Sequence, residues 1–255
     1  MIIELILTSP FQNLIVAITG LACGVLLNYL ADVLPYRRKL VWPLCLVCGQ
    51  KQTIFNYFIW PRRCAECLAA RSRRTWLVEL GMIIASVLLW IDFDASLGYM
   101  TRLLLLAFFC LVTIIDLEHR LILHVVSFPG ALFGIILGVS QHGWISTLGG
   151  GLAGFLAMLA LYNLGAVLMK WLARKRGKEL TEDALGFGDV IFSGVLGLFL
   201  GWPGIIAGLV LAILLAGGVS LIYLMVMVFS RRYRSDLSIA YGPYLVVSGV
   251  ILLLF

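Results

Sequence analysis

The chain alternates long apolar runs with short polar segments, and this pattern predicts membrane helices. A helix needs about 20 apolar residues to cross a hydrocarbon core roughly 30 Å thick. The apolar runs predict about eight spans, at residues 12–34, 76–92, 99–116, 121–139, 147–169, 187–201, 204–229 and 239–255. The division between the sixth and seventh spans rests on the Gly/Pro break GWPG at 201–204. We therefore predict an all-α polytopic protein that has the lipid bilayer as its surroundings.

The composition supports this fold class. Hydrophobic residues make up 62% of the chain and charged residues 13%. Soluble domains are typically about 45–50% apolar, so the composition excludes an ordinary soluble domain.

The basic residues predict the orientation of the spans. Of the 19 Lys and Arg residues, all except Arg102 lie in alternate loops. Because loops rich in Lys and Arg stay in the cytoplasm, both termini are predicted to lie outside, an N-out/C-out topology. Topology then accounts for the net charge of +6, and we expect no nucleic-acid partner.

Two acids are predicted to lie at the same depth in the membrane. Asp116 ends the third span, which runs inward, and Asp189 begins the sixth span, which runs outward. Both would therefore lie near the cytoplasmic edge, where an ionisable group suggests a functional site. A carboxylate pair supports peptide hydrolysis, because one acid takes a proton from water while the other polarises the scissile carbonyl. Gly186 and Gly188 precede Asp189 and would leave room for a substrate backbone.

Other interpretations of these acids remain open. Asp189 would also be suitable for stabilising the start of its helix, and Asp116 for a solvated helix end. Asp32 and Glu79 are further acids at membrane edges. A transporter that binds protons or cations is the main alternative, although carriers usually bind substrate near the midplane. A third alternative is a non-catalytic assembly protein.

Four cysteines in the first long loop predict a metal site. Cys45 and Cys48 form one CxxC pair, and Cys64 and Cys67 form a second, fifteen residues further along. This spacing is typical of a zinc ribbon, in which four thiolates hold one Zn²⁺ in a structural site. A disulfide or redox pair is the alternative, but a reducing cytoplasm disfavours it.

The sequence thus divides into three predicted parts. Residues 1–35 form the first transmembrane helix, and residues 36–75 form a small cytoplasmic, zinc-ribbon-like insertion. Residues 76–255 form the transmembrane domain that holds both candidate catalytic acids.

The order of these motifs resembles the bacterial type IV prepilin peptidases, which are GxGD-type membrane aspartyl proteases. The resemblance rests on GVLLNYLADVLP at 24–35, the two CxxC pairs, LVEL around Glu79, IDLEHRLI with Asp116, GFGDV with Asp189 and YGPYL at 241–245. Two motifs depart from the usual pattern: Leu123-His124 replaces a Pro-containing pair, and Ile191 replaces a lysine. Both aspartates are retained.

The resemblance implies a leader peptidase of type IV pili or type II secretion, located in the bacterial inner membrane. Its substrates would be prepilins or pseudopilins, cut at the cytoplasmic face by Asp116 and Asp189. Many members of the family also methylate the new N-terminus with S-adenosylmethionine. The resemblance leaves this second activity and the oligomeric state open.

Overall fold

The computed structural model describes residues 10–45, 47–58, 62–91, 97–176, 186–230 and 241–254. These ranges form eight helices and no β-strand: α1 Pro10–Arg37, α2 Ile54–Phe58, α3 Arg74–Ile91, α4 Tyr99–His119, α5 His124–Arg176, α6 Phe187–Leu200, α7 Gly204–Phe229 and α8 Gly242–Leu254. Two sets of residues used in the predictions lie outside the described residues. The first is residues 92, 239, 240 and 255 of the predicted spans. The second is four basic residues used for the predicted topology: Lys178, Arg231, Arg232 and Arg234.

Five of these helices are long and apolar enough to cross a membrane: α1, α3, α4, α5 and α7. Helices α6 and α8 are shorter and also apolar. Each predicted span has a helical counterpart, with α5 covering the fourth and fifth spans. The predicted all-α membrane architecture is therefore confirmed, and the chain is a multi-pass membrane protein.

Helix α5 is interrupted at Gly143. This residue has φ 77° and ψ 169°, so the helical geometry stops and resumes there. Positive φ is accessible to glycine at little cost, which explains why the break occurs at this residue. The hydroxyl of Thr147 donates to the carbonyl of Gly143 at 2.9 Å as the helix resumes. The break lies between the predicted fourth and fifth spans.

Met1–Ile114 forms the first of two compact units. Within it, α1 packs against α3 through two glycines one helical turn apart. A Cβ on Gly20 would lie 2.7 Å from the Ser86 Cβ, and a Cβ on Gly24 would lie 2.8 Å from the Glu79 Cα. Small residues at such spacing let two helix backbones approach closely inside a membrane.

Ile115–Phe255 forms the second unit, in which α6 contacts α5, α7 and α8. The α5–α6 contact is formed largely by glycines. A Cβ on Gly197 would lie 2.6 Å from the carbonyl carbon of Gly150, and a Cβ on Gly154 would overlap the Ser193 carbonyl. Most of α6 is buried, so this helix is the core of the unit.

Candidate functional site

Asp116 lies in the last turn of α4, in the second unit, and is 5% exposed. Its carbonyl accepts a hydrogen bond from the Arg120 N–H at 2.8 Å, and Arg120 has a positive φ of 52° at the end of the helix. The backbone N–H of Gly242 donates a hydrogen bond to the Asp116 carboxylate. The start of α8 therefore holds the carboxylate that ends α4.

Asp189 lies in the first turn of α6 and is 8% exposed. The N-cap residue of this helix is Gly186, which has no side chain to cap it. The Asp189 N–H donates to the Gly186 carbonyl at 3.1 Å, and the Gly186 N–H donates back to the Asp189 carboxylate. This reciprocal pattern resembles a capping box. Asp189 therefore stabilises the start of α6, as one interpretation of the sequence predicted, whether or not it also takes part in chemistry.

The two acids lie within electrostatic reach of each other. The Asp116 charge acts on the Asp189 carboxyl, although the two residues belong to different helices. Asp116 Oδ2 is buried and makes no hydrogen bond within the described part of the chain. A buried oxygen of this kind costs about 1–3 kcal/mol when it has no partner. It is thus available to a water or a substrate group.

The two glycines of the GFGD motif have different surroundings. A Cβ on Gly188 would lie 2.9 Å from the Ile122 Cβ, so this glycine lets the segment after Asp116 pack against α6. Among the described residues, a Cβ on Gly186 would come within 4 Å of only Asp189 Oδ2, at 3.4 Å, and the Gly188 backbone nitrogen, at 4.0 Å. Of the two glycines, Gly186 is the one that leaves space beside an acid.

Sequence reasoning assigned no role to Gly242, which contacts Asp116, or to Tyr241, which directly precedes it. A Cβ on Gly242 would overlap Asp116 Oδ2 and lie 2.9 Å from its Cγ. The Asp189 charge acts on the Tyr241 phenol, whose hydroxyl is buried. In the sequence, the YGPYL motif contributed only to the resemblance to the family. Its signal was a phenol followed by a glycine at the start of an otherwise apolar helix.

The other two acids predicted at membrane edges, Asp32 and Glu79, form ion pairs with arginines. Asp32 accepts hydrogen bonds from the guanidinium groups of Arg71, at 2.7 Å, and Arg74. Glu79 pairs with Arg62 at 2.9 Å. All three arginines belong to the cysteine-bearing segment or the start of α3, within the first unit. These ion pairs therefore attach that segment to the membrane helices.

The four cysteines form one cluster, as their spacing predicted. Their Sγ atoms all lie within 4.8 Å of one another. Cys45 and Cys67 are 3.6 Å apart, and Cys48 and Cys64 are 3.5 Å apart. A tetrahedral zinc with Zn–S bonds of about 2.3 Å places sulfurs about 3.8 Å apart. The four thiols thus fit a metal of this size and geometry.

Each cysteine pair lies in a tight turn of similar geometry. The Cys45 N–H donates to Gln50 at 2.8 Å, and the Cys64 N–H donates to Ala69 at 3.0 Å. Burial opposes ionisation of the Cys45 thiol. The backbone N–H of Cys48, with further hydrogen bonds, nevertheless lowers the pKa of Cys45 to about 6. Because the thiolate is the ligand form of cysteine, the lowered pKa suits Cys45 to metal binding.

Comparison with known proteins identifies similar sequences for most of the chain. Residues 103–222 match the model of the type IV leader peptidase family. This range contains both Asp116 and Asp189 but neither the cysteine pairs nor the YGPYL motif. No solved structure gives a significant match.

Curated relatives extend the similarity. A prepilin leader peptidase/N-methyltransferase from Aeromonas hydrophila is 31% identical over 236 residues, covering 88% of this chain and 75% of that protein. The enzyme of the same name from Aeromonas salmonicida (strain A449) is 31% identical over 197 residues, which are 76% of this chain and 62% of that protein. A type 4 prepilin-like proteins leader peptide-processing enzyme from Escherichia coli O78:H11 is 28% identical, covering 77% of this chain and 67% of that protein. The chain thus covers less than two thirds of the Aeromonas salmonicida relative.

Proposed function

We propose that this chain, which belongs to the type IV leader peptidase family, is a membrane-embedded aspartic endopeptidase that removes the leader from prepilins or pseudopilins. The main support is the pairing of Asp116 and Asp189, two buried acids within electrostatic reach at the ends of α4 and α6. The names of the relatives support the substrate class. The comparisons give no support to a transporter.

The proposed reaction uses the two acids as a pair that shares one proton. The ionised carboxylate takes a proton from water, and the resulting hydroxide adds to the scissile carbonyl carbon. The protonated carboxyl gives its hydrogen to the carbonyl oxygen, which forms a tetrahedral intermediate. Collapse of this intermediate breaks the C–N bond, and the amine leaves with a proton from the pair. Because the groups are coupled, the shared proton belongs to the pair rather than to one residue.

The proposed location is the bacterial inner membrane, with the acids near the cytoplasmic face. The basic loops of the sequence support this orientation, because such loops stay in the cytoplasm. A prepilin would keep its apolar helix in the bilayer, while its leader reaches the acids from the cytoplasm.

The cysteine cluster is proposed to hold Zn²⁺ through Cys45, Cys48, Cys64 and Cys67. The fit of the four sulfur positions to a tetrahedral site supports this assignment. A bound zinc would cross-link the two turns of the loop. Four protein ligands leave no position for water or substrate, so the site would be structural.

N-methylation with S-adenosylmethionine is a second proposed activity, supported by the names of the Aeromonas relatives. It predicts that labelled methyl groups from S-adenosylmethionine appear on the new N-terminus of a cleaved prepilin. Cleavage without label transfer would assign the chain the peptidase activity alone.

The decisive experiment replaces each acid by its amide. Asp116→Asn and Asp189→Asn should each lower the cleavage rate at least about 1,000-fold, since residues that act as a unit lose activity together. The purified protein in lipid nanodiscs would be incubated with a prepilin, and the products separated by mass spectrometry.

Glu118→Gln is the matched control, because Glu118 lies in the same helix turn but is exposed. We expect it to cleave at the rate of the unmodified chain. Normal cleavage by either aspartate variant would refute the catalytic pair.

A further inference from the structure

An apolar groove lies between α1, the segment that follows it and α2. Its volume is about 350 Å³, and ligand sites in proteins typically have about 300–1,000 Å³. The described residues that line it are uncharged and include Tyr29, Leu40, Trp42, Ile54 and Phe58. Leu40, Trp42 and Ile54 are each at least half exposed. Apolar surface therefore faces outward beside the cysteine-bearing segment.

Hydrogen bonds and a ring contact fix the walls of this groove. The Tyr29 hydroxyl donates to the Val41 carbonyl at 2.6 Å, and the Trp42 indole N–H donates to the Gln52 carbonyl at 2.9 Å. The ring of Phe58 lies 6.0 Å from the ring of Tyr29. The polar ends of both Tyr29 and Trp42 thus bind backbone, and their apolar rings remain for a ligand. Walls that are already ordered lose little freedom when a ligand binds.

The groove lies at the predicted membrane edge, next to a basic cluster. Tyr29 belongs to the predicted first span, whereas Leu40 follows the end of that span, and Tyr and Trp are common at such interfaces. The three residues before Leu40 are Arg37, Arg38 and Lys39, and all three are exposed. Basic clusters beside a membrane helix attract anionic lipids. An apolar groove next to such a cluster is complementary to a molecule with an apolar tail and an anionic head.

We propose that this groove binds one acyl chain of an anionic phospholipid, whose phosphate pairs with the basic cluster at 37–39. The bound lipid would hold the cysteine-bearing segment at the membrane surface. A lipid is favoured over a protein partner because the groove begins inside the predicted span, where acyl chains surround the helix. Lipid binding is independent of the proposed peptidase activity and is measured without a prepilin.

The test measures lipid affinity by native mass spectrometry of the full purified chain in detergent. Phosphatidylglycerol and phosphatidylcholine with identical acyl chains would be titrated separately, and the binding of the first lipid compared. Each basic residue near an anionic lipid contributes about fivefold in affinity. We therefore expect phosphatidylglycerol to bind at least about tenfold more tightly than phosphatidylcholine.

Lys39→Gln tests the headgroup contact. It should weaken phosphatidylglycerol binding about fivefold and leave phosphatidylcholine binding unchanged. Arg63→Gln is the matched control, because Arg63 is equally exposed but lies beside Cys64 in the second cysteine turn. We expect it to bind both lipids like the unmodified chain.

Ile54→Trp tests the groove by filling it. Both lipids should bind at least about tenfold more weakly, which corresponds to the loss of contact with about two methylene groups. Phe55→Trp is the matched control, since Phe55 is the next residue of α2 and is exposed outside the described lining of the groove. It should keep the original affinity for both lipids.

Equal affinity of the unmodified chain for the two lipids would overturn the proposal. Unchanged phosphatidylglycerol binding by both Lys39→Gln and Ile54→Trp would do the same. If Ile54→Trp binds lipid normally but has a higher KM for a prepilin, the groove holds substrate and the lipid assignment is wrong. Circular dichroism would show whether Ile54→Trp keeps its helices. If it does not, Lys39→Gln decides, because its side chain is exposed.

Discussion

Gly242→Ala is expected to displace the Asp116 carboxylate. The added methyl would lie 2.9 Å from the Asp116 Cγ and overlap its Oδ2. Non-bonded carbons rest at about 3.5–4.0 Å, so the carboxylate or the start of α8 must move by about 0.6–1 Å. A misplacement of about 1 Å in a catalytic site costs about 100-fold in rate. We therefore expect a fall in kcat of roughly that size.

Gly217→Ala is the matched control, since Gly217 is also a helical glycine but no atom of the described residues lies within 4 Å of the position of an added Cβ. Prepilin cleavage by both variants would be followed in nanodiscs under single-turnover conditions, which separate the chemical step from product release. Circular dichroism would record whether each variant keeps its helices.

The result that would refute this reasoning is cleavage by Gly242→Ala at the original rate with its helices intact. The position of the Asp116 carboxylate would then not limit the reaction. A fall in rate for Gly217→Ala of the same size would show that any added methyl disturbs the protein, and would equally remove the basis of the prediction.

The remaining predictions concern stability and metal content. Gly197→Ala should lower the free energy of unfolding by about 3 kcal/mol, because its methyl would overlap the facing backbone of α5; thermal unfolding alongside Gly217→Ala checks it, and an unchanged midpoint would contradict it. Asp32→Asn should lower the free energy of unfolding by about 3 kcal/mol, because it leaves two mostly buried arginines without their shared carboxylate. Limited proteolysis of the cysteine segment, compared with the exposed Glu66→Gln, would reveal whether that attachment is lost. Elemental analysis of the purified chain should find one zinc, and Cys45→Ser should abolish it; zinc retained by this variant would contradict the four-thiolate site.

The sequence predicts the membrane helices well, because a membrane crossing imposes a length and an apolar composition that are visible residue by residue. It also predicts a common membrane depth for Asp116 and Asp189, because the basic loops predict the orientation of both helices, but not that the two side chains approach each other. The cysteine spacing predicts the cluster for a similar reason, since two tight turns leave few ways to bring four thiols together.

Other features depend on contacts that leave no local pattern. Gly150 and Gly197 look like ordinary helical glycines until the two backbones are seen to touch. Asp32 and Glu79 resemble Asp116 and Asp189 in their predicted position, and their arginine partners tell them apart. The contact of Gly242 with Asp116 follows from how α8 starts, which no periodicity reveals.

The shortness of α6 and α8 has a consequence for the bilayer itself. Helix α6 has 14 residues and α8 has 13, so at about 1.5 Å per residue each is only about 20 Å long. The surrounding hydrocarbon is about 30 Å thick. A helix of this length cannot reach both surfaces of such a layer, so at least one end of each lies below the headgroups unless the bilayer around the protein is thinner. Asp189 and Gly242 occur at such ends, so local membrane deformation would bring water toward the acid pair.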